Sequence, residues 1–269
     1  MTDVLLISRA PLASGCVETW TLNDPQSRNA LSEALVDALF AACERAQADA
    51  DVRGVVLRGA GGHFCAGGSL GGFARTIGQP LAAGEADPLV PMNRQFGALL
   101  QALCALPQWL VVAVEGAAMG GGIGLVCCAD QVLAHAGAQF GMPEVTLGIV
   151  PAQIAPFVVR RMGAAPARRY LLTGERLGAL EAQRAGLVDE VIDGDMDAAV
   201  QSAIATHAAA APQAVAATKR LLLAVPETPL PALLDDAARA FAQALRGSEA
   251  PQGLAAFAAR RAPPWSAKA

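Results

Sequence analysis

Two glycine-rich turns, each placed directly after an apolar run of β-forming residues, constrain this chain more than any other feature. The first is Cys65-Ala66-Gly67-Gly68-Ser69-Leu70, which follows Val55-Val56-Leu57-Arg58. The second is Gly120-Gly121-Gly122, which follows Val111-Val112-Ala113-Val114. Without a β-carbon the backbone can come close to a ligand and present bare N–H groups to a cavity. Two such turns, about one strand–helix unit apart, can aim two N–H donors at one oxygen. A reaction that passes through an acyl or thioester oxyanion needs that arrangement.

The 269 residues suit one large domain or a domain with a helical extension. Hydrophobic residues make up 54% and charged residues only 16%, below the quarter usual in soluble domains. Much of the excess is alanine, which points to closely packed helices, and the low charge points to buried subunit contacts. A net charge of −4 leaves no basic footprint for nucleic acid. The six cysteines, Cys16, Cys43, Cys65, Cys104, Cys127 and Cys128, contain no CxxC and no zinc-like spacing, so they read as buried reduced thiols of a cytoplasmic protein. No signal peptide is expected at Met1-Thr2-Asp3. The apolar stretch Leu110 to Ala129 is long enough to suggest a membrane span. Glu115, its five glycines and its change from strand to helix character argue against one.

Along the chain, Val4–Ile7 and Val17–Leu22 read as a hairpin around Ala13-Ser14-Gly15, ended by Asn23-Asp24-Pro25. Leu31, Leu35, Leu39 and Ala42 recur at helical spacing behind the N-cap candidate Ser32. Val52–Arg58 is a strand, Gly71–Pro91 a mobile loop that could cover a site, and Met92–Leu106 a helix stopped by Pro107. Leu110–Val114 is a strand, and the triple glycine feeds a helix to about Ala129. Val132–Ala134 and Leu187–Ile192 are strands, Gln139–Glu144 a turn in which Pro143 disfavours helix, and Gln153–Arg161 and Ala165–Leu172 helices. Beyond Asp195 only helices are expected. The pattern predicts an α/β core, residues 1–195, followed by a helical region, 196–269.

These motifs, in this order, resemble the enoyl-CoA hydratase/isomerase (crotonase) superfamily. The resemblance rests on Asn29-Ala30-Leu31, His63-Phe64-Cys65-Ala66-Gly67-Gly68 and Ala113-Val114-Glu115-Gly116 leading to Gly120-Gly121-Gly122. It continues through Phe140-Gly141-Met142-Pro143-Glu144 and Leu147-Gly148-Ile149-Val150-Pro151 to Arg261-Ala262-Pro263-Pro264-Trp265. It implies a spiral of ββα units whose C-terminal helices make a trimer or a hexamer. It implies acyl-CoA as the bound substrate, with no cofactor or metal beyond the coenzyme A that the substrate carries. It places the oxyanion donors at the N–H groups of Gly68 and Gly121, and an acid at Glu144.

One departure matters. Hydratases of this family use a second glutamate three residues after the middle glycine, and here that position is Gly124. The expectation is that Glu144 acts alone, taking a proton from water that attacks Cβ and returning one at Cα, and that Gly124 leaves room for a bulkier acyl group. The stretch from Gly148 to Phe157 is similar to hydratases of β-branched glutaconyl thioesters, the 3-methylglutaconyl and isohexenylglutaconyl types of leucine and terpene breakdown. In that reading Gln153 contacts the attacking water or a substrate carboxylate, or is an ordinary polar residue at a helix start. Arg28 is a candidate for the CoA phosphates, and the resemblance offers Ala66 and Leu70 to the adenine. Phe257 and Arg260 match a pair that reaches CoA on a neighbouring subunit. His63 and Glu115 read as structural, Asp130 as fixing a turn, and Ser69 lacks a partner His and Asp for a hydrolase. The rival readings are a Δ3,Δ2-enoyl-CoA isomerase and a non-catalytic acyl-CoA-binding or RNA-binding member of the fold.

Overall fold

The computed structural model describes residues 3–68, 77–81 and 84–266. Leu70, Ser69 and much of the expected cover loop lie outside the described residues. The strands in chain order are β1 (Leu5–Pro11), β2 (Cys16–Leu22), β3 (Val52–Gly59), β4 (Trp109–Val114), β5 (Ala117–Met119), β6 (Gln131–His135), β7 (Gln139–Gly141), β8 (Arg176–Gly178) and β9 (Glu190–Ile192). The helices are α1 (Glu33–Ala48), α2 (Leu89–Cys104), α3 (Gly121–Cys127), α4 (Ala155–Met162), α5 (Ala164–Thr173), α6 (Ala179–Arg184), α7 (Met196–Ala208), α8 (Pro212–Ala224), α9 (Leu230–Arg246) and α10 (Glu249–Ala258).

A six-stranded sheet runs β1-β2-β3-β4-β6-β9 and a three-stranded sheet runs β5-β7-β8. Only β1 enters the large sheet antiparallel. The chain advances as a spiral, placing β4 in the large sheet, β5 in the small one and α3 after them, then β6 in the large sheet and β7 in the small. This is the α/β spiral with a helical C-terminal part that the sequence predicts.

Strands β3 and β4 are buried on both faces, as parallel strands covered by helices must be. Alternate side chains sort between two cores. Val55, Leu57, Leu110 and Val112 join Leu35, Leu39, Leu99 and Leu103 of α1 and α2. Val56, Trp109, Val111 and Leu133 pack with Met196, Val200, Ala203 and Ile204 of α7. A division after residue 195 would therefore cut a packed core, and the helices set apart from the sheet begin after α7. Each fully buried leucine contributes about 1.5–3 kcal/mol.

Ser32 caps α1 as expected, its hydroxyl accepting from the Leu35 N–H at 3.2 Å. Helix α2 starts at Leu89, ahead of Pro91, because proline is tolerated in a first turn. The segment Pro143–Leu147 is a 3-10 helix, against the expectation that Pro143 disfavours one. Proline stands at its first position, where the missing N–H has no helical partner to lose. Gln139–Gly141, read as a turn, is strand β7, and three-residue strands such as β5, β7 and β8 are too short to show periodicity.

Buried side chains of the body and of α8 tie the C-terminal part down, and a third contact joins two of its own helices. Buried Arg53 donates to the carbonyls of Ser14, Ala208, Ala210 and Trp265. Lys219 Nζ reaches Asp130 Oδ2 at 2.5 Å and the Gln108 carbonyl at 2.6 Å. The Glu249 carboxylate accepts the free N–H groups of Gln213 and Ala214 at the start of α8.

Candidate active site

The two glycine turns meet through one short backbone pairing. The Cys65 N–H donates to the Ala117 carbonyl at 3.0 Å, and the Met119 N–H donates to the Cys65 carbonyl at 2.9 Å. This parallel bridge sets Cys65 against Ala118. Three residues further along each chain lie Gly68 and Gly121. Gly67 (φ +92°) and Gly120 (φ +47°) carry the contact: a β-carbon on Gly67 would stand 2.8 Å from the Met119 carbonyl oxygen and 3.6 Å from Gly120 Cα. Side chains are excluded there by both backbone conformation and space.

Gly121 opens α3, so its N–H belongs to the first turn and has no intrahelical acceptor. The helix dipole adds partial positive charge at the same place. The Gly68 N–H takes no part in the bridge to Leu31, which runs from the Leu31 N–H to the Gly67 carbonyl at 2.8 Å. Among the described residues neither the Gly68 nor the Gly121 N–H has a hydrogen-bond partner. Apolar atoms crowd the second turn: a β-carbon on Gly121 would meet Leu31 Cδ1 at 2.6 Å and Phe96 Cζ at 3.3 Å.

Glu144 arrives from β7 through the 3-10 helix. The Gly120 N–H donates to the Gly141 carbonyl at 2.8 Å, which fixes the second turn against the strand leading to Glu144. The carboxylate lies directly over the turn, its Oε1 2.9 Å from where a Gly120 β-carbon would be. Its Oε2 is buried with no hydrogen-bond partner among the described residues. Phe140 and Met142 beside it are fully buried. Burial pushes the Glu144 carboxyl above its ordinary value, opposed in part by a hydrogen bond from its own backbone N–H. One half-buried carboxylate, its Oε2 buried and without a partner among the described residues, thus sits against the turn that carries Gly121.

Gly124 requires a correction. The space beside it is filled: a β-carbon there would lie 2.9 Å from Ile154 Cγ2 and 3.1 Å from Leu100 Cδ1. Ile154 and Leu100 are buried, so the missing side chain is traded for helix packing and leaves no room for an acyl group at that point. Gln153 is half-buried and donates from Nε2 to Asn93 Oδ1 at 2.9 Å. Arg28 is exposed in left-handed backbone (φ 56°). Its carbonyl accepts the Ala66 N–H at 2.9 Å, so Ala66 keeps only its carbonyl for a ligand. Phe257 is 84% exposed on α10, and Arg260 follows that helix with φ 52°. No described contact brings either to Glu144 or the glycine turns of the same chain. The structural readings of Glu115 and Asp130 agree with their contacts: Glu115 pairs with Arg58 at 3.0 Å, and Asp130 accepts the Leu110 N–H at 2.7 Å. His63 accepts the Ala117 N–H at 3.3 Å. Among the described residues no group of His, Cys, Asp and Glu has a metal-binding arrangement, and no helix is long and apolar enough to cross a membrane.

The positioning roles of three residues escaped the sequence reading. Asn29 is buried and left-handed (φ 58°). Its amide donates to the carbonyls of Ala60 and His63 at 2.9 and 2.8 Å and accepts the Asp24 N–H at 2.9 Å, which anchors the loop entering the first glycine turn. An Asn after Arg28 in a turn is a left-handed signal that could have marked it. Leu31 and Phe96 line Gly121, and nothing in their local spacing distinguishes them from core residues.

Two unpartnered backbone N–H groups in touching turns, with one buried carboxylate beside them, define the class of site that stabilises an acyl oxyanion and moves a proton next to it. The sequence model of the family described as enoyl-CoA hydratase/isomerase matches residues 13–268. A 2,3-dehydroadipyl-CoA hydratase of Escherichia coli strain K12 is 33% identical over 253 residues, 92% of this chain and 94% of that one. Pseudomonas aeruginosa AtuE superposes with a TM-score of 0.91 at 47% identity, covering 98% of this chain and 100% of the other. An enoyl-CoA hydratase/isomerase from Marinobacter aquaeolei gives a TM-score of 0.91 at 40% identity, over 98% and 99% of the two chains. This chain belongs to the enoyl-CoA hydratase/isomerase family and has its crotonase fold. It is an enzyme of a family whose named hydratases are hydro-lyases.

Proposed function

We propose that this chain adds water reversibly across the Cα=Cβ bond of an α,β-unsaturated acyl-CoA thioester. The observation that carries the reading is the buried Oε2 of Glu144, without a partner among the described residues, beside a glycine turn in which the Gly121 N–H likewise has none. The Glu144 carboxylate takes a proton from water as the water oxygen bonds to Cβ. The π electrons move onto the thioester oxygen, where the N–H groups of Gly68 and Gly121 hold the enolate. Glu144 then returns its proton to Cα, the thioester carbonyl reforms, and the net change is one added water. Each donor of such a pair is worth about 10²–10³ in rate.

The acyl group we infer is of the glutaconyl type, 3-methylglutaconyl or isohexenylglutaconyl. The similarity of residues 148–157 to such hydratases supports this, and the Escherichia coli relative is named for a dicarboxylic thioester. Arg28 and the Ala66 carbonyl serve the CoA moiety in this reading. Phe257 and Arg260 meet the CoA of a neighbouring subunit. A trimer or pair of trimers is supported by one face of α9, where Leu230, Leu234, Phe241 and Leu245 are all exposed. The single carboxylate also suits a Δ3,Δ2-enoyl-CoA isomerase, in which Glu144 moves one proton along the chain. Incubation with 2-enoyl and 3-enoyl thioesters, including 3-methylglutaconyl-CoA, tests the proposal. The 3-hydroxyacyl product supports hydration, interconversion of the two alkenes without it supports the isomerase, and near wild-type turnover by Glu144→Gln refutes both.

A further inference from the structure

Helices α2 and α3 run side by side in the same direction at the site. Phe96 touches the position of Gly121, and Leu100, one turn further along α2, touches that of Gly124. Asn93 and Gly97 share this face of α2 at helical spacing. Gly97 is buried and forms a notch: a β-carbon there would fall 1.9 Å from Gln153 Oε1, so the glutamine head fills the space that any other residue would take. Gln153 immediately precedes Ile154, whose side chain occupies the space beside Gly124. The Gln153 amide is held by its Nε2 donating to Asn93 Oδ1 at 2.9 Å, and its Oε1 accepts no hydrogen bond among the described residues.

Gly97 stands about 1.5 Å past Phe96 and about 4.5 Å before Leu100 along the axis of α2. Gln153 Oε1, seated on Gly97, therefore lies between the level of the oxyanion turn and the level of Gly124. Cα–Cβ bonds tilt toward the N-terminus of a helix, so a carboxylate carried on residue 124 would reach back over that same interval. Leu100 and Ile154 close that route in this chain, and Gln153 brings an oxygen to the interval from the residue next to Ile154. The amide is one residue removed from Phe96, the side chain that touches the turn covered by Glu144. A carboxamide oxygen can accept a hydrogen bond from water but cannot take its proton at neutral pH. The base therefore remains Glu144.

We propose that Gln153, held by Asn93, orients the water that attacks Cβ. Its Oε1 accepts one hydrogen of that water while Glu144 takes the other as a proton. Gln153 is a positioning residue, and one base with one neutral acceptor does what two carboxylates would otherwise do. The inference deepens the hydratase reading and rests on it for the placement of the thioester.

Hydration and hydrogen exchange at Cα separate the two readings. Exchange of the Cα hydrogen of a saturated thioester in deuterated water needs only Glu144 and the oxyanion donors. The carboxylate takes the proton, the electron pair passes to the thioester oxygen, and a deuteron returns to Cα with no water added at Cβ. Hydration is assayed with 2-hexenoyl-CoA, 2,3-dehydroadipyl-CoA and 3-methylglutaconyl-CoA, and exchange with the saturated analogue of the best substrate. Gln153→Met is expected to lower kcat for hydration by about ten- to a hundredfold while leaving exchange unchanged. Asn93→Ala, a change at an exposed residue, gives a smaller loss of the same kind. Gln153→Glu, whose carboxylate still accepts from water, recovers part of the rate and adds a second ionisation to the pH profile. Equal losses of hydration and exchange in Gln153→Met would make the amide a packing element and overturn the proposal. Hydration that survives Gln153→Met would overturn it as well, and either result leaves the hydratase reading standing. An intact protein that exchanges Cα hydrogens but hydrates none of these thioesters would instead refute the hydratase reading, and the water site with it.

Discussion

A carboxylate with one oxygen buried and unpartnered costs stability whenever it is charged, and Glu144 carries that cost at the centre of the site. Its folded-state pKa is raised by burial from the ordinary 4.5. The destabilisation is therefore absent below the unfolded value and grows as pH rises through it toward the folded one. Glu144→Gln is expected to unfold at higher urea than the parent near neutral pH, with the difference vanishing below about pH 4. The same substitution should lower hydration by about 10²–10⁴. A variant that loses both stability and activity would mean the side chain is structural. Hydration also needs the ionised form, so kcat/KM of the parent should fall with decreasing pH at a midpoint above 4.5. A flat profile across that range would contradict the base role. Glu144 was legible in the sequence through the resemblance carried by Phe140-Gly141-Met142-Pro143-Glu144; the anchoring role of Asn29 was missed because it depends on carbonyls more than thirty residues away.

At the level of elements, the site is a junction where a parallel bridge, the start of α3 and a 3-10 helix meet. Gly120 binds these together, with φ +47° and a β-carbon position only 2.9 Å from Glu144 Oε1. Gly120→Ala should cost about 1–3 kcal/mol in urea unfolding from backbone strain, together with a large loss of turnover. An alanine that leaves both intact would show that the turn is looser than described. Gly124 gives a second test. Gly124→Glu alone should destabilise, because Ile154 and Leu100 occupy its space, whereas Gly124→Glu with Ile154→Ala should recover stability beyond additivity. Additive losses would mean the two positions do not share a cavity. The sequence shows that position 124 lacks a carboxylate, but not that Ile154, thirty residues on, has taken the volume. Long periodic elements such as α1 and β4 were readable from spacing alone. Strands β5, β7 and β8 were not, because pairing partners define them and their own residues do not.

Across the whole molecule, the apolar face of α9 is out of proportion to what one chain buries. Leu234 and Phe241 are 59% and 68% exposed and lie on one stripe, while only Leu233 of that helix is buried. Sedimentation of the purified protein is expected to show a trimer or hexamer, and Phe241→Glu should shift it toward smaller species. A monomer in both cases would remove the support for CoA contacts from a neighbouring Phe257 and Arg260. The low charge of the sequence hinted at such a surface, yet only the structure shows which helix presents it. The most direct test of the central claim is a crystal structure of the assembled protein with a saturated acyl-CoA bound. The account predicts the thioester oxygen within about 2.7–3.1 Å of both the Gly68 and Gly121 N–H groups, with the Glu144 carboxylate facing Cα and Cβ. A thioester held away from either amide, or a Glu144 side chain turned from the acyl chain, would contradict it.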